Sequence, residues 1–117
     1  ESRSQATNRA KALSRLRHKL MVELRAPIEL ESFERPEWMK ELYQHGRLSV
    51  SPRHEQYCAL GGLVLDVLAA CAWRLSSAAK VLELTTAALA AFLQADTKML
   101  AKVNQMRTAA GMKTLGA

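Results

Sequence analysis

Leucines stand at positions 13, 16, 20 and 24 with Ala10 ahead of them, the three- and four-residue spacing that gathers side chains on one side of an α-helix. Lys11, Arg15, His18 and Arg25 fall opposite that stripe, with Lys19 on its shoulder. The pattern predicts a helix from about Ser4 to Arg25, capped by Ser2 or Ser4. Pro27 ends it by driving Ala26 out of the α region. One face is then shaped to pack on protein and the other to meet phosphate.

Beyond it, residues 27–36 (PIELESFERP) are acidic and bounded by prolines, and read as a linker. Pro36 opens a short helix through about Gln44, anchored by Trp38, Leu42 and Tyr43 and closed by His45-Gly46. Ser51 as N-cap and Pro52 as first residue start an apolar helix running to about Ala72. It carries Tyr57, Leu60, Leu63, Val64, Val67, Leu68 and Cys71, and its wide apolar face marks it as central. Gly61-Gly62 inside it suits close helix packing better than a phosphate loop, which needs a strand-to-helix turn. Three shorter helices follow. They are capped by Ser76 (to Leu82 or Glu83), Thr85 (to Gln94) and Asp96 or Thr97 (to Ala110), with Gly111 past the last. Ala78, Ala79, Leu82, Leu84, Thr85, Leu89, Phe92 and Leu93 have the layout of a helix-turn-helix, with Glu83 where such turns usually carry Gly. The expected fold is all-α: a long basic N-terminal helix (1–26), a linker (27–36), and a compact bundle of four to five helices (37–117) containing a helix-turn-helix-like pair.

Composition agrees: 49% of residues are hydrophobic but only 5% aromatic, and Gly and Pro are few. Charge changes the picture more. Residues 1–25 hold seven Lys/Arg against Glu1 and Glu23, so they carry +5 of the chain's net +6. A concentration of this kind calls for a polyanionic partner. Cys58 and Cys71 would lie about 20 Å apart on a straight helix, too far for a disulfide. They read as reduced thiols in a cytoplasmic protein. No charge-free apolar run has membrane-spanning length, and no membrane partner is expected.

Candidate chemistry is sparse. His18, His45 and His54 have no Cys, Asp or Glu at metal-ligand spacing, so no metal or other cofactor is expected. Glu29, Glu31 and Glu34 sit in the linker as solvated carboxylates. Arg53, beside His54 and Glu55 at a helix start, is suited to an anion, although helix-start chemistry explains these residues equally well. The second helix of the helix-turn-helix-like pair offers no Arg, Lys or Asn to a base edge, so sequence-specific DNA binding is not expected. No active site is found.

The opening RSQATNRAKALSRLR resembles the segment after the catalytic loop of class I peptide chain release factors and ribosome-rescue peptidyl-tRNA hydrolases. In that family a strand ends in an acidic residue, followed by Arg-Ser-Gln, two variable residues, Asn, and a helix beginning Lys/Arg-x-x-Ala-Leu. Glu1, Arg3, Ser4, Gln5, Asn8, Arg9, Lys11, Ala12, Leu13 and Leu16 occupy those positions. The tail Val103, Asn104, Arg107, Gly111 and Met112, with the Pro-Arg-His loop, resembles a C-terminal extension on some bacterial release-factor-like proteins. The family's Gly-Gly-Gln tripeptide is not among these 117 residues, and Gly61-Gly62 is followed by Leu63. The resemblance implies a C-terminal part of a protein of translation termination or ribosome rescue. The parent would hydrolyse the peptidyl-tRNA ester, and this part would bind the ribosome through ribosomal RNA. Arg3, Ser4, Gln5, Asn8, Arg9, Lys11, Arg15, His18 and Lys19 would make the contacts. The leucine stripe, built to lie on a sheet, would otherwise pair two copies in a homodimer. The alternatives left open are a stand-alone helix-turn-helix nucleic-acid binder and a helical protein-interaction module.

Overall fold

A computed structural model describes residues 2–116, without the side chains of Ser2 and Arg3. Six α-helices carry the fold: α1 (Ser2–Glu23), α2 (Glu37–Lys40), α3 (Tyr57–Ala70), α4 (Leu75–Leu82), α5 (Thr86–Gln94) and α6 (Thr97–Ala109). The architecture is an all-α bundle with one small antiparallel hairpin, β1 (Tyr43–Gln44) and β2 (Arg47–Leu48).

The apolar helix α3 is the hub, as its wide face requires. Leu60, Val64, Leu65, Val67 and Leu68 are fully enclosed. Each later helix adds one face to the same core: Ala78 and Leu82 from α4, Leu89 and Leu93 from α5, Met99 and Val103 from α6. Met39 of α2 closes it from the linker side. Thr85 caps α5 as predicted, and of the two candidates for α6 Asp96 is the cap while Thr97 is the first helical residue. Thr85 Oγ1 accepts the Ala88 N–H at 3.0 Å and Asp96 Oδ1 accepts the Met99 N–H at 3.0 Å. The α4–α5 pair bends by 103°, and Leu84 is buried in its turn.

Three local predictions are corrected. The helix expected to run to Gln44 stops at Lys40, because His45 (φ +52°) and Gly46 (φ +75°) form a two-residue turn that pairs Tyr43 with Leu48. Two left-handed residues in a row match the twist of a hairpin and cannot continue a helix. α4 starts at Leu75, with Arg74 rather than Ser76 in the cap position. α3 begins at Tyr57 rather than Pro52: Ser51 Oγ accepts the Arg53 N–H at 3.1 Å, and His54 Nδ1 accepts the Gln56 N–H at 3.0 Å. Side chains that bond the neighbouring backbone hold these residues in turns instead.

Two helix ends are made by residues other than glycine in the left-handed region. Glu83 (φ +58°) ends α4 with Leu84 N–H donating to Ala79 O at 2.9 Å, and its carboxylate meets Arg35 at 2.8 Å. Trp73 (φ +65°), after Ala72 (φ +56°), ends α3 with its N–H on Leu68 O at 2.7 Å. This conformation costs an L-residue roughly 1–2 kcal/mol. Burial of the Trp73 ring and a 2.7 Å bond from Arg107 Nη1 to its carbonyl hold the second turn in place. The tail motif is explained in the same way. Arg107 Nε donates to Lys113 O at 2.8 Å, and Asn104 exchanges two bonds with the Leu115 backbone at 3.1 and 2.7 Å. Asn104 and Arg107 thus fold the tail back onto α6.

The N-terminal helix departs most from expectation. Its leucine stripe does not pack: Leu13, Leu16, Leu20 and Leu24 are 43–64% exposed. The opposite face docks, burying Met21 and Val22 against α3 and α6. Gly61 lies at this contact: a Cβ there would come 2.9 Å from Met21 Sδ and 3.0 Å from Met99 Cε, so any larger residue would push these two flexible side chains aside. From Ser4 to Arg17 every residue of α1 is exposed.

Candidate nucleic-acid interface

The docked end of α1 is fastened by three polar links. His18 Nε2–H donates to Asp96 Oδ2 at 2.7 Å, and Tyr57 donates its hydroxyl to the same oxygen at 2.8 Å. Arg25 meets Asp66 at 3.0 Å, reaches Gly62 O at 3.3 Å and bonds Met21 O. Lys102 meets Glu23 at 3.3 Å. Burial opposes ionisation of Asp96, yet the bonds from His18, the Met99 N–H and Tyr57 outweigh it and hold the carboxyl below its usual range. Burial raises the Tyr57 hydroxyl, and the adjacent carboxylate raises it further, so it remains a donor. Burial lowers Arg25, with Asp66 and Glu23 partly compensating.

This latch sets the angle at which α1 leaves the bundle, and an open cleft of about 540 Å³ results. Lys11, Ser14, Arg15 and His18 of α1 form one wall. Arg53 and Pro52 of the turn before α3, with Ala95–Lys98 at the start of α6, form the other. Lys11, Arg15, Arg53 and Lys98 are exposed, and no ion pair engages any of them among the described residues. The single carboxylate in the wall, Asp96, already accepts three hydrogen bonds.

The residues predicted to contact RNA fall into distinct groups. Ser4, Gln5, Asn8 and Arg9 are exposed on the projecting part of α1, and the Arg3 side chain and Glu1 lie outside the described residues. Lys11 and Arg15 overhang the cleft. Lys19 is exposed on the α6 side, where it lines a second groove with Val22, Lys98 and Lys102. His18 differs: it is turned into the bundle as part of the latch. The face that carries the cations is therefore also the face that docks. Its last turns end in Met21 and Val22, and His18 and Arg25 find carboxylates on α6 and α3. Lys98 was not singled out by the sequence, because nothing at a helix start distinguishes a solvated lysine from one facing a distant helix.

Two further features carry no such grouping. Cys58 and Cys71 are both free thiols, pushed up by burial, and neither has the setting of a nucleophile. Among the described residues no cluster of His, Cys, Asp or Glu is arranged to hold a metal ion. No single helix among them is long and apolar enough to cross a membrane. No family model matches this chain, and no curated protein or solved structure matches it either.

Proposed function

We propose that this chain is the C-terminal part of a release-factor-like protein of translation termination or ribosome rescue, and that α1 binds ribosomal RNA in the cytoplasm. One observation carries the reading: every residue of α1 from Ser4 to Arg17 is exposed, Arg9, Lys11, Arg15 and Arg17 among them. A helix presenting several exposed cations is suited to a phosphate backbone. The Arg-Ser-Gln-x-x-Asn resemblance supports the family, and the exposed leucine stripe is what a helix built to lie on a sheet would present. In this reading the residues described contribute binding, and hydrolysis of the peptidyl-tRNA ester belongs to the parent protein. Reversing Lys11, Arg15 and Lys19 to Glu should abolish ribosome co-sedimentation at moderate salt; unchanged, salt-insensitive binding would overturn the reading.

A helix-turn-helix reader of duplex DNA is a poorer fit. The exposed positions of α5 are Thr86, Ala87, Ala91 and Gln94, none of them cationic. The leucine stripe favours one second reading, self-association of this chain through α1. Light scattering on the intact chain and on a Leu13→Gln, Leu16→Gln, Leu20→Gln variant separates them. A dimer lost in the variant supports self-association, and a monomer in both removes it.

A further inference from the structure

The four cations of the cleft come from three separate elements and line one concavity; Arg9, Arg17, Lys19, Arg47, Arg74, Lys80 and Lys113 likewise have no ion pair among the described residues but do not line this cleft. Arg25, Arg35, Lys40 and Lys102 are each matched to a carboxylate, and Arg107 is spent on backbone carbonyls. No ion pair engages Lys11, Arg15, Arg53 or Lys98 among the described residues, although they line one concavity. Like charges gathered around a cleft repel one another and weaken the fold unless an anion enters it. The turn before α3 is also built to hold its cation in place. Ser51 and His54 use their side chains on the backbone of the turn, and Arg53 between them is left pointing free of any protein partner. Across the cleft, the His18–Asp96–Tyr57 latch fixes α1 against the start of α6, so the helix that carries Lys11 and Arg15 is placed across from Arg53 and Lys98 before binding and only the side chains remain to be ordered.

We propose that this cleft grips the phosphodiester backbone of RNA from both sides. Lys11 and Arg15 act from α1, Arg53 and Lys98 act from the bundle, and the helical domain is itself half of the binding surface. The inference rests on the RNA-binding reading of α1 and adds the opposite wall to it. Asp96 does not oppose the ligand, because its two oxygens are already occupied by His18, Tyr57 and the Met99 N–H. The shared chemistry is the phosphate group, which free phosphate also offers.

The test uses the intact chain and three proteins: wild type, Arg53→Glu/Lys98→Glu, and Lys11→Glu/Arg15→Glu/Lys19→Glu. Binding to purified ribosomes and to a mixed-sequence single-stranded RNA is measured across a salt series, with thermal melts to verify folding. Each lost phosphate contact lowers the slope of log K against log salt by roughly 0.7–0.9. The bundle double variant should therefore lose about 1.5 from the slope on both RNAs, with its melting temperature unchanged or raised. A slope unchanged in that variant but reduced in the α1 variant overturns the cleft and leaves α1 binding intact. A slope unchanged in both overturns both. Inorganic phosphate is titrated separately. Weak binding that RNA displaces supports the proposal, and tight phosphate binding that RNA does not displace overturns it. Should the double Glu variant melt early, Arg53→Gln/Lys98→Gln removes the charges without adding new ones, and the same slopes decide.

Discussion

The two halves of α1 carry one amphipathic pattern and meet opposite surroundings. From Ser4 to Arg17 the helix is exposed on all sides, including Leu13 and Leu16. From His18 onward it buries Met21 and Val22 and fastens His18 and Arg25 to carboxylates of the bundle. The more apolar stripe is the one left in water. The face that docks is the one whose shape and polar groups the bundle matches: Met21 lies against Gly61, and His18 and Arg25 meet the carboxylates of Asp96 and Asp66. A burial partner must satisfy shape and polar groups together, and hydrophobicity alone does not choose the face.

The largest effect should come from breaking the docked half. Met21→Asp places an unpaired carboxylate where a side chain only 6% exposed now packs, and should cost at least about 3 kcal/mol. Hydrogen exchange should show α1 released while α3 to α6 remain protected. Loss of protection across the whole bundle would instead mean that α1 is integral to the core.

Next comes the latch. Asp96→Ala removes the α6 cap and leaves the Tyr57 and His18 donors unpaired, for an expected loss of about 2–3 kcal/mol by chemical denaturation. The sign of its pH dependence follows from the lowered carboxyl. Its contribution is complete above the unfolded value, near 3.8, and is lost as the pH falls through the lower folded value. Wild type should therefore lose stability in that acid window, and Asp96→Asn should lose less there. Equal acid curves would remove the latch from the account.

The smallest effect belongs to the projecting half. Leu13→Gln or Leu16→Gln should change monomer stability by no more than about 0.5 kcal/mol, because each side chain is already about half in water. A larger loss in dilute solution would show that the stripe has an intramolecular partner.

Much of the fold was readable from local rules. The spacing of apolar residues located α1, α3, α4, α5 and α6, and Thr85, Asp96 and Gly111 marked their ends where short-range hydrogen bonding dictates. The hairpin at His45-Gly46 was missed because His is an uncommon residue at positive φ, so the dipeptide reads as a helix stop. Of the cleft, Lys11 and Arg15 were singled out by charge concentration, and Arg53 by an expected helix start that proves to be a turn. Lys98 and the role of His18 were not, since 78 residues separate His18 from Asp96.

The sequence by itself determined that the chain is helical, that α3 lies at its centre, and that its excess positive charge sits at the N-terminus. Those properties depend on neighbours a few residues apart. Only the tertiary structure decided which face of α1 docks, which cations are spent on carboxylates, and which are left to line a cleft. These outcomes depend on the fit between helices that are remote in the chain: Met21 against Gly61, His18 with Asp96 and Arg25 with Asp66.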